Sequence, residues 1–415
     1  MSVVRREDGE LWMEDVRLAE VASRFGTPCY VYSRAGIESG WRAFDDGLAG
    51  LDHLVCYAVK ANANLAVLGV LAKLGSGFDI VSGGELARVL AAGGRADRVI
   101  FSGVGKSEAE MRAALEAGIR CFNVESEPEL ERLEAVARAA GRRAPVSLRV
   151  NPDVDARTHP YISTGLKGNK FGIPHERALE AYALAARLPH LEVVGIDCHI
   201  GSQILDMAPL GESLERVLEL AAGIASHGIR LKHVDLGGGL GIRYRDEDVA
   251  PDVTAWCRGI AARLAGLGYS LVLEPGRAVV GNAGALLTRV EYLKLDKHKR
   301  FAIVDASMSE LLRPALYEAW HDIQPLSSPG RASAAYDVVG PVCESSDVLG
   351  FDRELAIAAG DGLAILSAGA YGMAMSSNYN TRPRPCEVMV DGSRAIEVRP
   401  RERLEALFAG ERTID

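Results

Sequence analysis

The chain has no C-x-x-C pair, and its seven cysteines, Cys29, Cys56, Cys121, Cys198, Cys257, Cys343 and Cys386, follow no regular spacing. A disulfide framework or a structural zinc site would need such patterning, so neither is expected and no metal is assigned. A basic stripe is also missing: the formal net charge is -9, and Lys and Arg are interspersed with acids. Such a surface does not track a phosphate backbone, which argues against nucleic acid as a partner. The opening MSVVRREDGELWMEDV has no apolar segment of the signal-peptide kind, and no later run is long enough to span a bilayer. The expectation is a soluble, cytoplasmic protein with no membrane partner. Low-complexity tracts and solenoid repeats are absent as well.

What is present is an alternation. The length of 415 residues suits a barrel of roughly 200–250 residues plus a smaller module. From about residue 53, β-branched runs alternate with Ala/Leu/Glu/Arg-rich stretches of helical period, the pattern of βα units. Eight strands are expected in HLVCYAVK, GFDIV, RVIFSG, CFNVES, VSLRVNP, LEVVGIDCHIG, LKHVDLGGG and LVLEPGR. The helices between them, such as GELARVLAAGG and EAEMRAALEAG, end in Gly as C-caps do. Eight such repeats imply an α/β fold, a (β/α)8 TIM-like barrel over residues 33–280. Beyond it, strands follow without long helices, in AGALLTRVEYLKL, FAIVDA, AAYDVVGPVC, GLAILSAG, CEVMVDG and AIEVRP. They read as a mostly antiparallel β-barrel or sandwich spanning 281–415, interrupted by one helix around 309–320. Residues 1–32, with the strand-like Cys29 to Tyr32, precede the barrel and are assigned to this second module. SSPGRASA reads as an exposed loop.

In a (β/α)8 barrel the chemistry lies at the C-terminal ends of the strands, so the polar residues there come first: Lys60, Asp79, His199, Gly237 to Gly239, Glu274 and Arg277. Lys60 closes the apolar run CYAVK. A lone lysine there usually snorkels to solvent, whereas covalent use as a Schiff base would also explain a lysine at that place. The three glycines of VDLGGGLGI can bend their backbone N–H groups around a phosphate, although a tight βα turn selects glycine too. Ile242 stands where the dinucleotide fingerprint requires glycine, so a monophosphate fits better. Glu274 could hold a proton on a pyridine nitrogen or simply pair with Arg277. His199 could stack on a flat ring or be a satisfied core histidine.

Together the motifs YAVKANANLAVL, GFDIVSGGEL, FSGVGK, NVES, THPYISTGLKGNKFGI, DCHIGSQI, DLGGGLGI, EPGRAVVGNAG, RPALYEAWH, GPVCESSDVLG and GAYGMAMSSNYNTRPRP closely resemble the diaminopimelate decarboxylases. These are fold-type III enzymes with an alanine-racemase-like barrel, dependent on pyridoxal 5'-phosphate. The resemblance runs nearly end to end. It implies that Lys60 carries the cofactor, that His199 stacks on the ring, and that Glu274 partners the pyridine nitrogen with Asp79 nearby. It further implies a phosphate site from Ser202, Gly238, Gly239, Gly276, Arg277 and Tyr371. Arg277, Arg313, Tyr317 and Tyr371 match substrate-binding positions. Glu344 matches the acid that takes the distal ammonium, and Cys343 the proton donor to the carbanion. In relatives these last two reach the site from a partner subunit, so a homodimer with shared active sites is implied. The implied reaction is loss of CO2 from meso-diaminopimelate to leave L-lysine, the last step of lysine biosynthesis.

The alternative is a related basic-amino-acid or carboxynorspermidine decarboxylase on the same scaffold. Ornithine-type enzymes carry an Asp-bearing motif where this chain has Cys343-Glu344-Ser345-Ser346, and they lack RPALY. A racemase usually sets a positive partner at the pyridine nitrogen, which Glu274 is not. A non-catalytic cofactor-binding protein would share the barrel and Lys60 but end shortly after it.

Overall fold

A computed structural model of the chain describes residues 2–155, 169–296, 298–328 and 330–414. Most of the motif THPYISTGLKGNKFGI, residues 158–168, lies outside the described residues. Two compact units result. One comprises Gly40–Ile242 and Val249–Ala278; the other comprises Met1–Ser39, Arg243–Asp248 and Val279–Asp415.

The first unit is a closed ring of eight parallel strands: β1 (His53–Ala58), β2 (Gly77–Ile80), β3 (Val99–Phe101), β4 (Cys121–Val124), β5 (Ala144–Asn151), β6 (Leu191–Asp197), β7 (His233–Asp235) and β8 (Ser270–Leu273). Closure is made by β8 on β1, with Leu271 beside His53. Each strand matches one expected from the sequence. Several of the intervening helices begin at side-chain caps: Ser82 accepts the Glu85 N–H, and Ser107 forms a reciprocal capping box with Glu110. Gly118 ends the latter helix in the left-handed region.

Leu54, Cys56, Ile100, Cys121, Val194 and Val272 form one buried cluster. They come from β1, β3, β4, β6 and β8, strands spread around the ring, so the cluster fills the barrel interior. Side chains on a strand alternate faces. Two residues beyond Cys121 stands Asn123, and two beyond Val272 stands Glu274. Strand period alone therefore aims both inward, one layer above the apolar plug. On β6 the register slips between Val193 and Gly195, a bulge that re-aims the residues after it, Asp197 included.

The second unit is built on a sheet with strand order Val348–Leu355, Ala334–Val339, Arg300–Val304, Gly284–Leu295, Cys29–Ser33, Cys386–Asp391, Arg394–Arg399. Ile323–Pro325 and Gly362–Ile365 branch from the long strand Gly284–Leu295. Pairing is mostly antiparallel, as expected. Two pairs are parallel: Cys29–Ser33 with Cys386–Asp391, and Arg300–Val304 with Ala334–Val339. The N-terminal strand Cys29–Ser33 is thus a central strand of this unit. Leu11, Met13 and Leu18 from the N-terminus bury with Leu287, Val388 and Val390 in one core, which ties the first residues of the chain to the last hundred. The helix expected around 309–320 is shorter, Arg313–Tyr317, because Glu318 takes a left-handed conformation at its end. Ile323–Pro325 and Val348–Leu355 were not expected from the sequence. The first is only three residues long, and the second carries charges and a glycine. In SSPGRASA the described residues before Ala334 are exposed.

Candidate active site

Chain direction in a closed parallel ring brings the ends of β1, β2, β6, β7 and β8 to one mouth. Just past β1, Lys60 sits in a single 3-10 turn, Val59–Ala61. Its side chain is 40% exposed, and its Nζ lies 3.6 Å from Oδ2 of the fully buried Asp79 carboxylate. Neither Asp79 oxygen has a hydrogen-bond partner. Burying such a carboxylate is costly unless a cation stays beside it, and the Lys60 ammonium is the cation beside Asp79 here.

Beneath lies an acid floor. One carboxylate oxygen each from Asp197, Asp235 and Glu274 lie within 4.8 Å of one another, and all three residues are buried. The Asn123 amide donates to Glu274 at 3.2 Å and to the Ser102 hydroxyl at 3.2 Å, which fixes its orientation. Burial raises the Glu274 carboxyl well above the ordinary range; Asp235, Asp79 and Asp197 push it further, and Lys60 opposes. Asp235 is pushed up to about 7 by burial, against the N–H of Gly237, which donates to it at 2.8 Å. Asp197 rises through burial and then through Asp235, with Arg149 opposing. Crowded acids in low dielectric cannot all ionise, so each ionised carboxylate raises the affinity of the remaining carboxyls for their protons unless a cation lies beside them.

The loops after β6 and β7 are zipped together: the Ile204 N–H donates to Gly239 O at 2.9 Å, and the Gly241 N–H to Ile204 O at 2.9 Å. A Cβ on Gly238 would run into the Glu274 carbonyl oxygen, and one on Gly239, where φ is +112°, would meet Gly201 O. Only glycine permits this approach, and it leaves a turn without side chains, as a phosphate cradle needs. His199, after β6, accepts the Gly238 N–H on Nδ1 at 3.3 Å. Burial, then Arg149 and Lys60, hold its imidazole well below the usual range, so it presents a neutral flat face. Arg277 is 6% exposed, and its Nη2 donates to the Ser202 hydroxyl at 3.0 Å. Gly276 packs under the Lys60 turn, where an added Cβ would lie 3.0 Å from that of Ala61.

In the second unit the remaining sequence-derived residues form two groups. Arg313 is 6% exposed; its Nη1 donates to His321 Nε2 at 2.7 Å. His321 is fully buried, with Nδ1–H donating to Leu366 O at 2.9 Å, which fixes the tautomer. The Arg313 guanidinium also lies 4.7 Å from the Tyr244 ring centre, and Tyr244 meets His321 edge-on. Tyr317 follows on the same short helix and is half-buried. Arg313 is thus anchored on one side, with the rest of its planar fork directed by that anchor. Cys343 and Glu344 are exposed, and Glu344 accepts the Tyr379 hydroxyl at 2.6 Å. Tyr371 is held at φ +55°, a conformation uncommon for a bulky residue and frequent at ligand sites.

Lys60, Asp79, His199, Ser202, Gly238, Gly239, Glu274, Gly276 and Arg277 therefore gather in the barrel unit. Arg313, Tyr317, Cys343, Glu344 and Tyr371 belong to the other. Sequence reasoning missed Asn123, Asp197 and Asp235, although NVES, GIDC and HVDL each end a strand with a polar residue, the same signal that exposed Glu274. It also missed His321, Tyr244 and Tyr379.

The barrel residues fit pyridoxal phosphate: an amine for an imine, an acid floor for a pyridine nitrogen, and a side-chain-free turn for a phosphate. Residues 34–281 match the family model described as "Pyridoxal-dependent decarboxylase, pyridoxal binding domain". The class is thus a pyridoxal-dependent decarboxylase. The chain is 60% identical over 411 residues to the diaminopimelate decarboxylase of Pseudomonas aeruginosa, covering 99% of each chain. The structure of diaminopimelate decarboxylase from Helicobacter pylori with L-lysine superposes with a TM-score of 0.91 at 43% identity, covering 94% of this chain and 98% of that one. The enzyme of the same name from M. jannaschi superposes at 0.94 with 37% identity, covering 100% and 98%. The chain belongs to the diaminopimelate decarboxylase family.

Proposed function

We propose that this protein decarboxylates meso-2,6-diaminopimelate to L-lysine and CO2, the last step of lysine biosynthesis, at a site shared between two subunits of a cytoplasmic homodimer. The observation that carries the reaction type is the Lys60 amine beside Asp79 over the buried Asn123–Glu274–Asp235 floor. When bound, pyridoxal phosphate supplies an electron sink for the pair left at Cα when CO2 departs. Lys60 is the group that would hold it covalently and later return to release product. Glu274, oriented by Asn123, would hold a proton on the ring nitrogen, and His199 would stack on the ring. The Gly238–Gly239 turn, Ser202, Gly276, Arg277 and Tyr371 would hold the phosphate.

Substrate choice is assigned to the second unit. Arg313, anchored by His321, joins Arg277, Tyr317 and Tyr371 in binding substrate, with the distal carboxylate on the arginine fork; Glu344 takes the distal ammonium. Cys343 returns a proton to Cα. A shorter diamine acid such as ornithine lacks the distal carboxylate and would forgo that charge-assisted contact with the arginine fork. The lysine complex of the Helicobacter pylori relative supports this choice over related basic-amino-acid or carboxynorspermidine decarboxylases. The dimer is supported by large apolar side chains left open on the second unit, Tyr292 at 68% and Leu295 at 65% exposure. The cytoplasm is supported by the absence of disulfides among the described residues. Among those residues no helix is long and apolar enough to cross a membrane. The test is CO2 release from meso-diaminopimelate beside ornithine, arginine and carboxynorspermidine. Preference for any of the last three overturns the substrate assignment, and release from none overturns the reaction.

A further inference from the structure

The turn that carries Cys343 and Glu344 is built twice over. From within, the buried Asp347 carboxylate accepts the N–H groups of Met308 at 2.6 Å and Val342 at 2.7 Å. Its own N–H donates to Glu344 O at 3.0 Å, so the backbone of 342–347 is a closed loop. From outside, a second turn grips the first. The Asn380 side-chain oxygen accepts the Cys343 N–H at 3.4 Å, and the Tyr379 hydroxyl donates to Glu344 Oε1 at 2.6 Å.

That second turn is itself braced. Asn378 donates to Arg382 O at 3.0 Å and to Glu402 at 2.7 Å, while Arg382 donates to Asp305 O at 2.7 Å. Asn380 and Thr381 both sit in the left-handed region, at φ +54° and +55°. For a β-branched residue such as Thr381 this is an outlier, held only where the surroundings over-determine it. Two independently anchored turns thus meet through an exposed carboxylate with three rotatable bonds, a group that would otherwise wander.

We propose that Tyr379 is a positioning residue for recognition of the substrate's distal ammonium: it holds Oε1 of Glu344, so that Oε2 faces the ligand in a single orientation. This rests on the assignment of Glu344 to that ammonium. A hydroxyl-to-carboxylate hydrogen bond is charge-assisted and short, as here. Fixing the carboxylate before substrate arrives removes an ordering cost from binding, not from the chemical step.

The test uses the holoenzyme and three variants, Tyr379→Phe, Glu344→Gln and the double variant. The probes are meso-diaminopimelate as substrate and D-2-aminopimelate, which lacks the second amine, as competitive inhibitor. Loss of a hydrogen bond to a charged group predicts that Tyr379→Phe raises KM for the substrate about tenfold, with kcat changed by less than about twofold. The inhibition constant of D-2-aminopimelate should not move. Glu344→Gln should raise KM in the same selective way, and the double variant should be no worse than Glu344→Gln. Equal weakening of both ligands by Tyr379→Phe, or additive losses in the double variant, overturns the role of Tyr379 alone. If Glu344→Gln itself does not discriminate between the two ligands, the ammonium assignment falls, and the inference with it.

Discussion

Replacing Asp235 by Asn tests the acid floor, because the two side chains have one shape and differ in one ionisation. The folded Asp235 carboxyl is pushed up to about 7, against about 3.9 in an unfolded chain. A raised carboxyl means that the folded state binds more protons than the unfolded one, so stability falls as pH rises. The group contributes nothing unfavourable below about pH 4, and its cost is complete above about pH 7. The total is on the order of 4 kcal/mol, of which roughly 3 falls between pH 5 and pH 8. An Asn at this position keeps an oxygen to accept the Gly237 N–H, carries no proton to lose, and relieves the charge pressing on Glu274 and Asp197. The assay is urea unfolding of cofactor-free protein at pH 5, 6, 7 and 8. The wild-type chain should lose stability steadily across that range, whereas Asp235→Asn should decline less and be the more stable at pH 8. An unchanged pH slope, or a variant less stable than wild type at pH 8, would refute the reasoning that these carboxyls share protons.

Lys60→Ala should abolish both turnover and the visible absorbance of bound cofactor; any residual steady-state decarboxylation removes Lys60 from its place in the reaction. Cys343→Ala should still bind cofactor yet form product slowly. Mixed with Lys60→Ala it should recover about a quarter of wild-type activity, the share expected from random pairing in a two-fold dimer; no recovery counts against a shared site. Gly238→Ala forces a Cβ against the Glu274 carbonyl oxygen, a clash that costs on the order of 1–3 kcal/mol. Cofactor titration followed by absorbance should therefore show weakened binding, and wild-type affinity would show that the turn is not a phosphate cradle.

Much of the site was legible before any fold was drawn, for a physical reason. A barrel strand alternates faces, and it ends where the chain turns to the next helix, so a polar residue closing an apolar run is placed at the mouth by local geometry. Lys60, Asp79, His199 and Glu274 were all found that way. Asp197 and Asp235 carried the same signal. What could not be read was that they approach Glu274, since the three stand on β6, β7 and just past β8 and are separated by 38 and 39 residues of chain. The anchoring of Arg313 was hidden for the same reason: His321 is eight residues further on, but Tyr244 comes from a segment folded into the second unit from within the barrel sequence.

The sequence by itself determined the eight-fold alternation of strand and helix, the run of three glycines after the seventh strand, and the kinds of group available for the chemistry. These follow from short-range sterics and the period of side chains along the backbone. Only tertiary structure decided the pairing of Cys29–Ser33 between strands more than 250 residues away, the proton-holding floor under the mouth, and the grip of Tyr379 on Glu344. Each of these is a meeting of distant segments, and its strength depends on burial and distance, which exist only once the ring and the sheet have closed.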